Sequence, residues 1–217
     1  MLVHLSRWAI IVGLTAEARL VHALGAPVFI GGGTAQGSEL ACRRAVARGA
    51  AALLSVGLAG GLDPALRPGV VIVPEMVLAG GTSFATDPAM NRAIGGPTAH
   101  RVVGAEAVAA DAATKQRLWR ETGAAALDLE SGAVARIATE HGLPFAVLRV
   151  ICDPAERDLP PAALAALDLH GAIGIGRVLG SVLGHPAQVQ ALLALARDAA
   201  TARRALAARI ASIARGA

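Results

Sequence analysis

"ALDLESGAVARIATEHGLPFAVLRVICDPA", residues 126–155, alternates strand-like and helical patterns and so points to the fold class. An apolar run over 124–129 leads into a helical pattern over 131–141, which Gly142 stops before a second, almost wholly apolar run over 145–152. Strands apolar throughout, rather than alternating, belong to a sheet covered on both faces, and their alternation with helical stretches is the signature of an α/β domain. The same alternation predicts further strands at 8–13, 27–30, 52–56, 70–73 and 101–104, and helices at 15–23, 38–48, 111–122 and 161–167. Thr15 and Ser38 read as N-caps, and Gly25, Gly49, Gly123 and Gly142 stand where helices should stop. The expected fold is therefore α/β, a single-domain mixed twisted sheet flanked by helices, over residues 1–170. No repeat or linker divides it.

Residues 171–217 differ in character. They carry six Arg against Asp198, net +5, while residues 1–170 carry 14 basic and 15 acidic side chains, net −1. Beyond Pro186, Val189, Leu192, Leu193, Ala196, Ala199, Leu206, Ile210 and Ile213 recur at helical spacing, with Arg197, Thr201, Arg204 and Arg215 on the other side; Arg203 interrupts the stripe. This predicts a C-terminal amphipathic helical extension, packed on the domain or reaching from it. Its Arg face suits either water or an anionic membrane surface.

Composition narrows the functions available. The 217 residues include 51 Ala and 25 Gly but no Tyr, three Phe and two Trp, with 54% hydrophobic residues. Such a chain can bury a large core and is not disordered, but it lacks the aromatics of a platform on which nucleic-acid bases stack. No nucleic-acid partner is expected. Cys42 and Cys152 are far apart and the six His form no ligand pair, so no metal site is written. The apolar run 9–14 is too short for a signal or spanning segment, and a cytoplasmic protein is expected.

Ligands of open α/β sheets bind beyond the carboxyl ends of strands, so the polar residues there are the candidates. Glu17 follows the first strand on the first turn of a helix, a position the helix dipole alone also favours. The run Ser55-Val56-Gly57-Leu58-Ala59-Gly60-Gly61 carries a strand into a glycine-rich turn whose N–H groups would cradle an anion. It matches neither a Walker A loop nor the dinucleotide fingerprint, and the latter also fails at Gly31-Gly32-Gly33. Asp128 and Glu130 project to one side at the end of an apolar strand, where two like charges are costly unless something uses them. Asp153 ends another apolar strand, its backbone fixed by Pro154; a carboxyl between apolar walls holds its proton, as a general acid must.

These features, in this order over residues 9–154, resemble the purine-nucleoside phosphorylase and nucleosidase superfamily, most specifically through "SVGLAGGLDPALRPG" (55–69), the 126–155 stretch and the Glu17 turn. "GLAGGLDP", "LPFAVLRVICDPA" and the tail "GRVLGSVLGHPAQVQALLALARDA" are similar to its hopanoid-associated branch, linked to release of adenine from adenosylhopane, a nucleoside whose ribose carries a pentacyclic lipid. The resemblance implies cleavage of a purine–ribose bond, with inorganic phosphate as co-substrate and no other cofactor. It further implies a lipid-linked nucleoside as substrate, peripheral membrane contact through 171–217 and a homo-oligomer. It assigns Asp153 to purine N7, Glu130 to the ribose hydroxyls, Leu129 to the underside of the sugar, Val108 to the base and Glu17 to the attacking water. Ser55, Gly57, Leu58 and Gly60 would line the nucleophile pocket. Leu58 stands where hydrolytic members have Ser, Ser55 where a phosphorolytic branch has Arg, Cys152 where Ser usually precedes the acid, and Ala107 where relatives stack an aromatic on adenine. The other readings are a hydrolytic nucleosidase of the methylthioadenosine/S-adenosylhomocysteine type and a non-catalytic nucleoside-binding module.

Overall fold

The computed structural model describes residues 7–160 and 189–216. Among these residues a nine-stranded mixed sheet runs β2-β1-β3-β8-β7-β5-β6, with β9 against β3 and β4 off that path. The strands are β1 (Trp8–Val12), β2 (Val28–Ile30), β3 (Ala52–Gly61), β4 (Val71–Ile72), β5 (Pro74–Ala79), β6 (Thr82–Ala85), β7 (Ala99–Gly104), β8 (Ala126–Asp128) and β9 (Phe145–Asp153). The helices are α1 (Thr15–Val21), α2 (Ala35–Ala47), α3 (Pro88–Ala93), α4 (Ala112–Thr122), α5 (Ser131–Glu140) and α6 (Val189–Gly216).

At the centre β3 lies parallel to both β1 and β9, and all three are buried almost throughout. Alternate residues therefore face two apolar layers. Ile10, Leu54, Val56, Leu148 and Val150 point toward α1 and α6; Ile11, Leu53, Val147 and Ile151 point toward α2 and α5. This two-sided burial explains why the strands read as continuous apolar runs.

Several expectations are corrected. The strand expected to end at Val56 continues to Gly61, because β9 pairs with it as far as Gly60 and β8 pairs antiparallel at Gly60 and Gly61. The glycine-rich segment is thus strand, not an N–H-lined turn. The cap of α2 is Thr34, whose hydroxyl accepts from Gly37 N–H, while Ser38 lies buried within the helix. Leu14, not Thr15, holds the N-cap position of α1. The hairpin β5–β6 and helix α3 were not anticipated. Gly80 and Gly81 (φ +57° and +76°) supply the turn, and β6 is a mostly exposed edge strand without an apolar face to announce it.

The expected helix at 161–167 lies outside the described residues. Helix α6 forms as its periodicity predicts. Ala202, Leu206, Ile210 and Ile213 join the layer over β1, β3 and β9, and Arg203 points outward. Among the described residues no helix is long and apolar enough to cross a membrane.

Candidate active site

The carboxyl ends of β1 and β8 and the middle of β3 converge on Arg149, which sits in the middle of β9 and is 0% exposed. A guanidinium so deep needs carboxylates around it. Its Nη2 donates to Asp128 Oδ1 at 3.0 Å, to Glu130 Oε2 at 3.1 Å and to the Ser55 hydroxyl at 2.7 Å. Although burial opposes its charge, the negative charges of Asp128 and Glu130 dominate and hold it protonated. Among the described residues, Arg149 Nε and Nη1 are buried donors without an acceptor.

The three acids differ in their tasks. Asp128 closes the N-terminus of α5, accepting from the N–H groups of Glu130 (2.8 Å) and Ser131 (2.6 Å) and from the Ser131 hydroxyl (2.7 Å). Burial works against its ionisation, but Arg149 and these donors prevail, so its carboxyl is held below the usual range. Glu130 has fewer donors. Burial pushes it up to about 8, the charges of Asp128 and Glu17 add to the rise, and Arg149 offsets only part. Glu17 reaches the same place from α1: Oε2 accepts from Leu14 N–H at 2.8 Å and Oε1 from Leu58 N–H at 3.0 Å. Burial raises it above the ordinary carboxylate value despite these bonds and the Arg149 charge.

Glycines make room for this convergence. A Cβ on Gly57 would lie 2.7 Å from Arg149 Nη1 and 2.8 Å from Glu17 Oε1, and one on Gly13 would lie 2.4 Å from Glu130 Oε1. Gly57 is thus required not for a turn but for the approach of two charged groups over a strand.

Asp153 lies buried at the end of β9, beside Gly60 of β3. Its surroundings correct the expected apolar walls: the ammonium of Lys115, from α4, donates to its Oδ2. The Cys152 thiol donates to Oδ1 at 3.4 Å, and burial first, then Asp153, raise that thiol well above its normal range. Leu129 and Val108 are half-buried, the first between β8 and α5, the second in the segment joining β7 to α4. That segment is tied to the one after Asp153: Leu159 N–H donates to Ala110 C=O at 2.7 Å and Ala112 N–H to Asp158 Oδ1 at 2.8 Å.

The structure therefore gathers Glu17, Ser55, Gly57, Leu58 and Glu130 around Arg149 and sets Gly60 against Asp153. Arg149 and Lys115 carried no role in the sequence reading. The available signals were a charged residue inside a nine-residue apolar strand and a single Lys among 19 Arg.

The sequence profile of the Phosphorylase superfamily matches residues 11–167, and the chain belongs to that family. Solved structures share the fold at low identity. Futalosine hydrolase of Helicobacter pylori is 17% identical with a TM-score of 0.66, over 82% of this chain and 97% of its own. The 5'-methylthioadenosine/S-adenosylhomocysteine nucleosidase of Neisseria meningitidis, in complex with methylthio-immucillin-A, is 15% identical with a TM-score of 0.70, over 97% and 99%. No curated protein sequence matches.

Proposed function

We propose that the protein hydrolyses the N-glycosidic bond of a purine nucleoside. The observation that carries this reading is Arg149, held by Asp128, Glu130 and Ser55, whose buried Nη1, unpartnered among the described residues, lies with Glu17 Oε1 over Gly57. Breaking a purine–ribose bond leaves positive charge on the sugar and negative charge on the base, so a site needs anions at one and a proton at the other. Glu130 would bind the ribose hydroxyls over Leu129. Glu17, its carboxyl raised toward neutrality, would take the proton of a water that Arg149 Nη1 helps orient. Asp153 would meet purine N7, with Val108 along the base.

Water is favoured over phosphate on two counts. The expected nest is a paired strand, and the Leu58 N–H within it is already given to Glu17. The solved relatives of like fold include a nucleosidase and a hydrolase, which supports the same choice. The finer expectation, phosphorolysis of adenosylhopane, is decided by the same assay. Adenine release from 5′-methylthioadenosine and from adenosylhopane is followed with and without inorganic phosphate. Hydrolysis gives the same rate in both buffers and free reducing sugar as product; dependence on phosphate would reverse that assignment. The Asp153→Asn variant is expected to lose about 10²–10⁴-fold in kcat with an unchanged circular-dichroism spectrum. If it altered only ligand affinity, a non-catalytic binding module would be the better description.

A further inference from the structure

The chain holds one lysine, and it is 1% exposed. The Nζ of Lys115 meets three acceptors: the Asp153 carboxylate, the Pro154 carbonyl at 3.1 Å and the Arg157 carbonyl at 2.9 Å. An ammonium has three N–H donors, so every one is used. Burying a charge is costly even when it is matched, and an apolar side chain would pack α4 against this segment at lower cost. The carboxyl it holds is otherwise approached by the Cys152 thiol at Oδ1 and, from β3, by the bare Cα of Gly60. A Cβ on Gly60 would stand 3.4 and 3.5 Å from the two carboxylate oxygens, so β3 places no side chain against them at that position.

Resting on the purine-cleavage reading above, we propose that Lys115 is a positioning residue that acts through Asp153, aiming its carboxyl and supplying the proton the departing purine takes up. The step balances. As the C1′–N9 bond breaks, its electron pair goes to the base, and N7 takes a proton from the Asp153 carboxyl, which has received it from Nζ. Lys115 is left as a neutral amine. Water adds its hydroxyl to C1′ and its proton goes to Glu17. Return of the Glu17 proton to solvent and uptake of one by the amine restore the site.

The choice of lysine follows from this role. Arginine offers more hydrogen bonds to a carboxylate but does not release a proton in proteins.

The test compares leaving groups. Adenine release from 5′-methylthioadenosine needs a proton; release of p-nitrophenolate from p-nitrophenyl β-D-ribofuranoside does not. Lys115→Met and Lys115→Arg are expected each to lower kcat on the purine nucleoside by about 10²–10⁴-fold. Their losses on the nitrophenyl riboside should be at least about tenfold smaller, by the same leaving-group argument. Equal losses on both substrates would mean that the lysine only supports the fold, and full purine activity in the Arg variant would mean that charge alone suffices; either overturns the proposal. The Arg variant keeps the buried charges balanced, so the comparison survives if the Met variant does not fold. A wild-type chain that cleaves neither these compounds nor adenosylhopane refutes the purine-cleavage reading itself, and this proposal with it.

Discussion

At Gly57 a single missing carbon leaves room for two charged side chains to meet over a strand. The atoms a Cβ would strike, Arg149 Nη1 and Glu17 Oε1, are the ends of flexible side chains, whereas the backbone beneath is a regular strand. Gly57→Ala should therefore displace the two groups rather than unfold the sheet. We expect kcat to fall by about tenfold or more, since each 1.36 kcal/mol of lost transition-state stabilisation is a factor of ten, with the melting temperature little changed. Paired rate and melting measurements check this; a large loss of stability at full activity would show that the crowding falls on the backbone. The same scale explains what the sequence made legible. Glu17, Asp128, Glu130 and Asp153 interrupt apolar runs at strand ends and stand out as single letters. The partners that give them chemistry do not. Arg149 is invisible as a hub until β3, β8 and β9 are set side by side, since its acceptors come from residues 55, 128 and 130.

Among the elements, those buried on both faces or carrying a strong helical stripe were readable, because hydrophobic period is a local property. The β5–β6 hairpin escaped because an edge strand needs little apolar content, although Gly80-Gly81 between the two strands was a usable turn signal. The limits of β3 escaped for another reason: three glycines in five residues suggest a turn, and only pairing with β8 and β9 keeps them extended. Helix α6 shows how far periodicity reaches. Its spacing predicts an amphipathic helix but not which surface receives the apolar stripe. That surface is the protein's own core over residues 202–213, so a lipid contact through this helix would have to use Val189 and Leu193, the latter 52% exposed. Leu206→Ala should cost about 2–5 kcal/mol of stability as a cavity-forming core substitution, whereas Leu193→Ala should stay within about 0.5 kcal/mol, as surface changes do. Urea unfolding of the two variants checks both; equal effects would mean that the helix does not pack as described.

Across the whole molecule the charge that matters is not the net +4, the sum of −1 over residues 1–170 and +5 over 171–217, but the excess of acids around one guanidinium. Three carboxyl groups share Arg149, and the fold resolves their repulsion by keeping Asp128 ionised while Glu130 and Glu17 hold their protons to higher pH. Such shifts are linked to global stability. A carboxyl raised from 4.5 to about 8 binds more protons in the folded chain than in the unfolded one across that window. Its contribution is therefore complete below about pH 4.5 and is lost as the pH rises toward 8. The slope it adds is at most about 1.4 kcal/mol per pH unit. Glu130→Gln keeps the shape, cannot ionise and removes this dependence. Thermal melts at pH 5 and pH 8 should show the wild type losing more stability over the interval than the variant does. Parallel losses in the two chains would mean that Glu130 is ionised throughout, and that the proposed sugar site carries its full negative charge before any substrate arrives.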